Sequence, residues 1–445
     1  MSVFKYIFDF IAGGRSKTHP LHAQAGGSHV ASTEASLTTT VLIVGAGSTG
    51  LALAQGLKQA GIRYLVVEKD ERLDARARDW NMGLLWGTAA LKSLVVEKTW
   101  SRIQSVLVDP SLPVAENDSL NFLNGESGEL LSPIPVQKFY RLRRSKLREL
   151  LAECLDIRYN MPLKSINFSQ ENGQAIAGFA DGSSITANLI VGADGSSSGV
   201  RRALLGPEHG VARRLPYCAT FVHSTYTREQ ALFLRKFHPL YIASVHPGGY
   251  FSFFGMQDAA DPDRPETWTF FFYISWYSSL EEQEQTAGWS DAKRLGQVKE
   301  FSRSFTDPVK SAFEWLDGGC KVWYTQMSYF DPGAENHRWD NHGGRVTLAG
   351  DAAHSMTYQR GQGLNHSVTD AVKLFEAIKQ FTADRTAQAT AISAYENEMI
   401  DRAGGEVRLS TANTAMLHDW QKVLQSPLMK SGVKMNKTIQ ETNGQ

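Results

Sequence analysis

The sequence predicts an α/β chain in which a parallel dinucleotide-binding sheet is interleaved with an antiparallel-sheet domain and followed by C-terminal helices. Three observations predict it. An apolar strand, a glycine-rich turn, a helix and a second strand follow one another within residues 41–68. Aromatic side chains fill both alternating sets of positions over 268–277, which reads as a strand buried on both faces. A further apolar strand over 345–351 leads into a carboxylate, a second glycine-rich loop and a long helical pattern.

The chain has 445 residues, which suits two interleaved domains rather than one simple core. Hydrophobic residues make up 42% and aromatics 10%, the composition of an ordinary globular protein. Lys+Arg and Asp+Glu both number 46, so no global field favours nucleic acid or an acidic partner. Cys154, Cys218 and Cys320 are far apart, odd in number and without metal-ligand spacing. They read as reduced core thiols of a cytoplasmic protein, with no metal site.

Residues 1–38 form an N-terminal tail and flexible linker. Phe4, Ile7, Phe8 and Ile11 share a helical face, but the run is too short to span a bilayer, and surface contact with a membrane is the minority reading. Residues 13–38 have a linker's composition. The first part of the nucleotide-binding domain spans 39–205. Val41 to Val44 read as a buried parallel strand and Leu51 to Ala60 as a helix. Between them, Gly45 permits a tight turn, Gly47 lets the backbone approach a pyrophosphate, and Gly50 lets helix and strand pack closely. A pyrophosphate at that helix N-terminus meets free N–H groups and the positive end of the dipole. Arg63 to Val67 form the next strand, and Glu68 at its end is placed to accept hydrogen bonds from an adenosine ribose. A purely structural glycine turn would have no need of Glu68.

An apolar helical pattern runs through Leu94, and 139–152 reads as an amphipathic helix with arginines near its start. Residues 164–192 read as a three-stranded meander turned at Asn172-Gly173 and Asp181-Gly182, ending in Leu189-Ile-Val-Gly and then Asp194. Residues 206–338 form the second domain. There Phe270, Phe272, Ile274 and Trp276 alternate with Phe271, Tyr273 and Ser275, and Tyr241 to Phe254 reads as a hairpin partner with Gly248-Gly249 inside. This sheet either lines an apolar cavity with one face or is sandwiched between helices. Residues 339–425 return to the nucleotide-binding domain and C-terminal helices, with one helix from about Asn365 to Gln380 and others over 387–425. Residues 426–445 read as a loose polar tail. Asp351, ending the strand 345–351, suits the hydroxyls of a polyol chain. The N–H groups of Gly363, Leu364 and Asn365, opening a helix, suit an electron-rich ring edge that gains negative charge.

Gly45-Ala-Gly-Ser-Thr-Gly50, Gly192-Ala-Asp-Gly195, Gly350-Asp-Ala-Ala-His354 and Gly361-Gln-Gly-Leu-Asn365 together resemble the class A FAD-dependent monooxygenases, single-component aromatic hydroxylases similar to p-hydroxybenzoate hydroxylase. The resemblance covers roughly residues 39–400. Asp79-Trp-Asn-Met and Gln359 to His366 further resemble fungal secondary-metabolite members. The resemblance implies a Rossmann-like FAD-binding domain, with Gly45, Gly47 and Gly50 on the ADP half of FAD and Glu68 on its ribose. It places Asp194 beside the pyrophosphate, Asp351 on the ribityl chain and Gly363, Leu364 and Asn365 beneath the flavin pyrimidine. Arg144 matches an arginine that contacts FAD, and Arg78 matches another, with Arg76 competing for that role. NAD(P)H is implied as a transient co-substrate, and dioxygen and an apolar small molecule as partners, the oxygen passing through a flavin C4a-hydroperoxide. Hydroxylation or epoxidation of an aromatic or polyketide- or terpenoid-like compound follows.

The catalytic residues stay open. Tyr241, Tyr273 and His223 are candidate bases, and none is singled out. His354 reads as a loop brace rather than a base. Tyr358 stands where the family has proline and reads as packing rather than reaching substrate. The alternatives are an FAD-dependent reductase, dehydrogenase or halogenase on the same fold, and a non-catalytic escort. The Trp-x-Trp-Ile-Pro sequence expected of halogenases is absent.

Overall fold

In a computed structural model, residues 37–75, 78–169 and 173–426 are described. The N-terminal apolar face, Arg76, Asn172 and the tail from 427 lie outside the described residues. The described residues all belong to one compact unit.

The first sheet is built around the strand Leu37–Val44, which is flanked by two parallel neighbours, Tyr64–Val67 and Ser184–Gly192. Its apolar Val41-Leu-Ile-Val44 run is buried on both faces, as a parallel strand between helices requires. The strand Ser184–Gly192 is shared lengthwise on its far side. Its first half pairs antiparallel with Ala175–Phe179, and Ile190 to Gly192 pair parallel with Val346–Leu348. The meander is thus Leu163–Phe168, Ala175–Phe179 and Ser184–Gly192, with Gly182 turning at φ 89°. Register sets Val67, Val44, Gly192 and Leu348 in one row at the C-terminal edge of the parallel strands. The next residues, Glu68, Gly45, Ala193 and Ala349, therefore emerge side by side.

Helix Ser48–Gln59 packs against Gly363–Ala383, and that helix packs on Gln388–Leu417. The segment 139–152 departs from a single helix. Tyr140–Arg143 is a strand paired with Asn81–Leu84, and the helix is Arg144–Ala152. Leu142 explains the break, because it is fully buried facing Met82 and Leu107, where a pleated side chain fits.

The second sheet has seven strands in the order Val322–Tyr329, Arg213–Ser224, Thr269–Tyr277, Tyr250–Asp258, Tyr241–His246, Asn117–Asn124 and Leu130–Gln137. The last two come from the middle of the first domain, a crossover the sequence did not suggest. One face packs Phe270, Phe272, Ile274 and Trp276 with Leu295, Val298 and Phe313 of the helices Asp291–Ser302 and Val309–Glu314. Phe221, Phe251, Phe271 and Tyr273 lie on the other face. Of the three cysteines only Cys218 is buried. Cys320 is intermediate and Cys154 is exposed in a positive-φ turn, so the core-thiol reading holds for Cys218 alone. Among the described residues, no helix is long and apolar enough to cross a membrane, and no cluster of three or more His, Cys, Asp or Glu could hold a metal ion.

Candidate active site

The row of strand ends opens into one cavity of about 2330 Å³, and that cavity reaches the aromatic face of the second sheet. A single small-molecule site is ~300–1,000 Å³, so this volume accommodates a large cofactor together with a second ligand.

At the first strand end, backbone geometry dictates glycine. Gly45 has φ +114°, and a Cβ there would stand 2.4 Å from the Ala193 carbonyl oxygen. A Cβ on Gly50 would stand 2.2 Å from the Gly45 carbonyl oxygen. Gly47 differs, since its nearest neighbour would be 3.8 Å away and it faces the cavity. Nothing in the protein crowds this position, so the space beside it is left to the cavity. The buried Glu68 carboxylate accepts hydrogen bonds from Ala46 N (2.8 Å) and Asp70 N (3.1 Å), which braces the turn. A carboxylate has about four acceptor positions, so capacity remains for ribose hydroxyls. Arg148, missed in the sequence, locks the same turn by donating to the carbonyls of Ala46 (3.0 Å) and Leu73 (2.8 Å).

Asp194 also lines the cavity, yet its carboxylate accepts from Ser198 Oγ, Gly199 N and Val200 N and so caps the helix Gly199–His209. Buried Arg201 ties this turn to the next strand end, donating to the carbonyls of Ala352 (2.8 Å) and Gly210 (2.9 Å). Gly350, at φ +61°, would drive a Cβ to 2.4 Å from Thr49 Oγ1, so this loop is pressed onto the first helix. Asp351 follows, an exposed residue that lines the cavity. Burial raises its carboxyl above the usual range, and His354, Arg201 and Arg144 partly oppose that. Arg144, first residue of its helix, lies over the Trp80 ring (4.3 Å) and lines the cavity, as does exposed Arg78.

Helix Gly363–Ala383 presents Gly363 and Leu364 to the cavity wall. Asn365 does not line it. Its side chain accepts from Leu85 N (2.8 Å) and Gly87 N (3.1 Å) and donates to the Gly83 carbonyl, stapling the helix start to the loop 83–87. Behind them lies a buried charge network. Asp370 accepts from Gly350 N (2.7 Å) and Arg402 Nη2 (2.7 Å) and pairs with His354 Nε2 at 2.6 Å. Desolvation would raise the Asp370 carboxyl, but His354 and Arg402 outweigh it and hold it well below the usual range. His354 is fully buried and off the cavity wall, which is the geometry of a brace.

The aromatic end is lined by Phe221, Tyr241, Phe251, Phe253, Phe271, Tyr273, Trp323 and Tyr358. Tyr358 both packs and lines the cavity, its ring edge on Phe221 (5.3 Å) and Tyr273 (5.3 Å). Burial pushes the Tyr241 and Tyr273 phenols up, which keeps both protonated and so unsuited to the role of base. His223 lies off the cavity wall, and burial pushes it down to about 4. It is no candidate for the site.

A dinucleotide turn, a cavity-facing carboxylate and a helix N-terminus converge on an aromatic wall, the arrangement of a nucleotide-cofactor site beside an apolar one. The FAD binding domain family matches residues 38–79 and 134–410, more than half of the chain, and the protein belongs to that family. It is similar to the FAD-dependent monooxygenase phnB of Penicillium herquei, 33% identical over 397 residues covering 88% of this chain and 95% of that one. A second relative, the FAD-dependent monooxygenase cctM of Talaromyces islandicus, is 34% identical over 395 residues, covering 88% and 96%. In fold it is similar to Klebsiella pneumoniae HpxO complexed with FAD and uric acid, with a TM-score of 0.67 at 20% identity covering 89% and 93%. The chain is an FAD-dependent monooxygenase related to these fungal enzymes.

Proposed function

We propose that the protein uses NAD(P)H and dioxygen to hydroxylate or epoxidise an apolar aromatic or polyketide- or terpenoid-like small molecule in secondary-metabolite biosynthesis. The observation that carries this is the continuity of the cavity from Glu68 to Tyr273. FAD, when bound, supplies the two-electron and oxygen chemistry. The residues supply the rest. Gly45, Gly47 and Gly50 bring the turn against the ADP half, and Glu68 accepts from its ribose. Asp194 stands beside the pyrophosphate with Arg78 and Arg144 as counter-charges, and Asp351 accepts from the ribityl hydroxyls. The free N–H groups of Gly363 and Leu364, which line the cavity where Asn365 does not, would stabilise negative charge on the flavin pyrimidine. Phe221, Phe271, Tyr273 and Trp323 exclude water and orient the ring to be oxidised.

The residues fit FAD on the chemistry of the site, since Asp351 is an ionisable carboxylate that lines the cavity with Gly47, Arg144 and Gly363. Purified protein supplied with NAD(P)H and candidate aromatic or alkene substrates is expected to give a product heavier by one oxygen atom. Consumption of NAD(P)H with reduced but unoxygenated product would instead support a reductase.

A further inference from the structure

The cavity reaches solvent away from the cofactor's strand ends as well as beside them. Exposed Lys69 and Arg78 line it at the strand ends, where the proposed FAD lies. Exposed Asn117 and Lys138 line it at the edge of the second sheet, but that edge is plugged. There Phe139 sets its ring edge on Tyr241 (5.2 Å). The Arg141 guanidinium, which makes no ion pair among the described residues, lies 4.8 Å from the centroid of Phe253. A further mouth opens along the middle of the helix Gln388–Leu417. Asp401, Gly405 and Leu409 are each four residues from the next, so they share one helix face, and all line the cavity. Asp401 is exposed, and Leu409 is 48% exposed although apolar.

Across this mouth stands Gly361, also on the cavity wall, where a Cβ would meet nothing within 4 Å. The two sides are held at a fixed span, because Arg360 Nε donates to Glu406 (2.7 Å) and Ser410 Oγ donates to the same carboxylate (3.0 Å). Inward from the mouth, Met327, Thr325 and Trp323 are alternate residues of the strand Val322–Tyr329 and line the cavity on one face. They end at the aromatic wall, where Trp323 stacks on Phe221 (5.6 Å). Glycine is a poor helix residue, so one inside a long helix needs a reason. Gly404 has one, since a Cβ there would stand 3.0 Å from Asp331 Oδ1. Gly405 has none within the protein, where its Cβ would meet only Arg408 Nη2 at 4.0 Å and its φ is not positive. What the missing side chain leaves clear is the mouth.

We infer that the organic substrate enters and its product leaves through the mouth between Gly361 and Gly405, and that Gly405 sets the width of this passage. The inference rests on the reading of the aromatic end as the substrate site and adds the route to it. Traffic through this mouth passes beside the loop 355–362 and leaves the strand ends, and the cofactor on them, undisturbed. A residue that lines only a passage touches neither the free ligand nor the bound one. Narrowing it raises the barrier to entry and to exit by the same amount, so both rates fall together and Kd stays where it was.

The test is stopped-flow association and dissociation of 2-naphthol with the FAD-loaded protein, followed by the change in flavin absorbance, in the parent, Gly405→Ala, Gly405→Leu and Leu409→Trp. Gly405→Leu is expected to slow association and dissociation alike by about tenfold or more, because the ring must push a side chain aside. Gly405→Ala should slow both less, and Kd and FAD content should stay unchanged in each variant. Leu409→Trp narrows the same mouth from an exposed position one helical turn away, so it answers the question should Gly405→Leu fail to fold. It too should slow both rates with Kd unchanged. A Kd that weakens through faster dissociation, with association unchanged, would make Gly405 a wall of the bound ligand's site and overturn the inference. Rates that do not change in Gly405→Leu and Leu409→Trp would put the passage elsewhere and overturn it while leaving the substrate site in place. If 2-naphthol does not bind the parent, the reading of the aromatic end falls together with it.

Discussion

The two sheets meet at one cavity but build their ends of it in different ways. The parallel sheet contributes backbone: four strand ends in one row, close approaches that admit only glycine, and a helix N-terminus. The antiparallel sheet contributes side chains, with rings from several strands sharing one face and an unpaired cation among them. The first end is a rigid grip whose tolerance is set in tenths of an ångström. The second is a surface whose composition can change while the sheet stays intact. A family built this way can keep its cofactor and vary its substrate.

The comparison breaks most visibly at the glycines. Gly45→Val adds a branched side chain where even a Cβ would stand 2.4 Å from a carbonyl oxygen. It is expected to cost about 3 kcal/mol or more in stability and to yield no flavin-loaded protein, read by thermal unfolding and visible absorbance. Gly47→Ala sharpens the same point, because nothing in the protein crowds it. Its unfolding temperature should stay unchanged while FAD affinity falls. A parallel loss of stability in Gly47→Ala would show that the turn, not the ligand, requires this glycine.

Next in size is the charge network behind the cofactor end. Asp370→Asn removes the carboxylate that Arg402 and His354 share, leaving Arg402 only Glu398 (2.9 Å) as a charged partner, and is expected to cost about 3 kcal/mol. Because Asp370's folded pKa is lowered, its contribution is fully present above the unfolded carboxyl value of ~3.9 and is lost as pH falls through the folded value. Chemical denaturation across that range should show the difference between the two proteins shrinking toward acid.

Asp351 has the opposite sign. Its folded pKa is raised, so ionising it costs the apoprotein stability above the unfolded value. Asp351→Asn apoprotein should be at least as stable as the parent at neutral pH, with the difference vanishing in acid. It should nonetheless retain FAD about tenfold or more less tightly, one or two charge-assisted hydrogen bonds being lost. Unchanged flavin occupancy would remove Asp351 from the site. The smallest effect is expected at the aromatic end, where Tyr358→Phe removes a buried hydroxyl that has no partner. Its stability should be unchanged or higher by about 1 kcal/mol.

How legible each end was in the sequence follows from the same contrast. The backbone demands at Gly45, Gly50 and Gly350 leave a local trace, because only glycine meets them, and Gly45 and Gly350 each lie just beyond an apolar strand. The strand before Asp194 and the long helix from Gly363 were readable for that reason. Asn365 was read for its N–H group, whereas its side chain acts as a staple to a loop some 280 residues away in sequence. The strand Tyr140–Arg143 was hidden inside a helical pattern, because Leu142 is buried against Met82 and Leu107, partners distant in the chain. Residues Asn117–Asn124 and Leu130–Gln137 carry too few aromatic or β-branched residues to announce that they extend the second sheet. Arg141 and Arg201 looked like any other arginines in an arginine-rich stretch. What set them apart was the presence or absence of a partner in three dimensions.

One cavity, on this reading, holds FAD at the parallel strand ends and presents its flavin to the aromatic wall. A crystal structure of the FAD-loaded protein decides whether it does. The adenosine ribose is expected on Glu68, the ribityl chain on Asp351, and the flavin ring between the Gly363–Leu364 turn and the face carrying Phe271 and Tyr273. A flavin ring turned away from that face, with Asp351 making no contact to the cofactor, would contradict it.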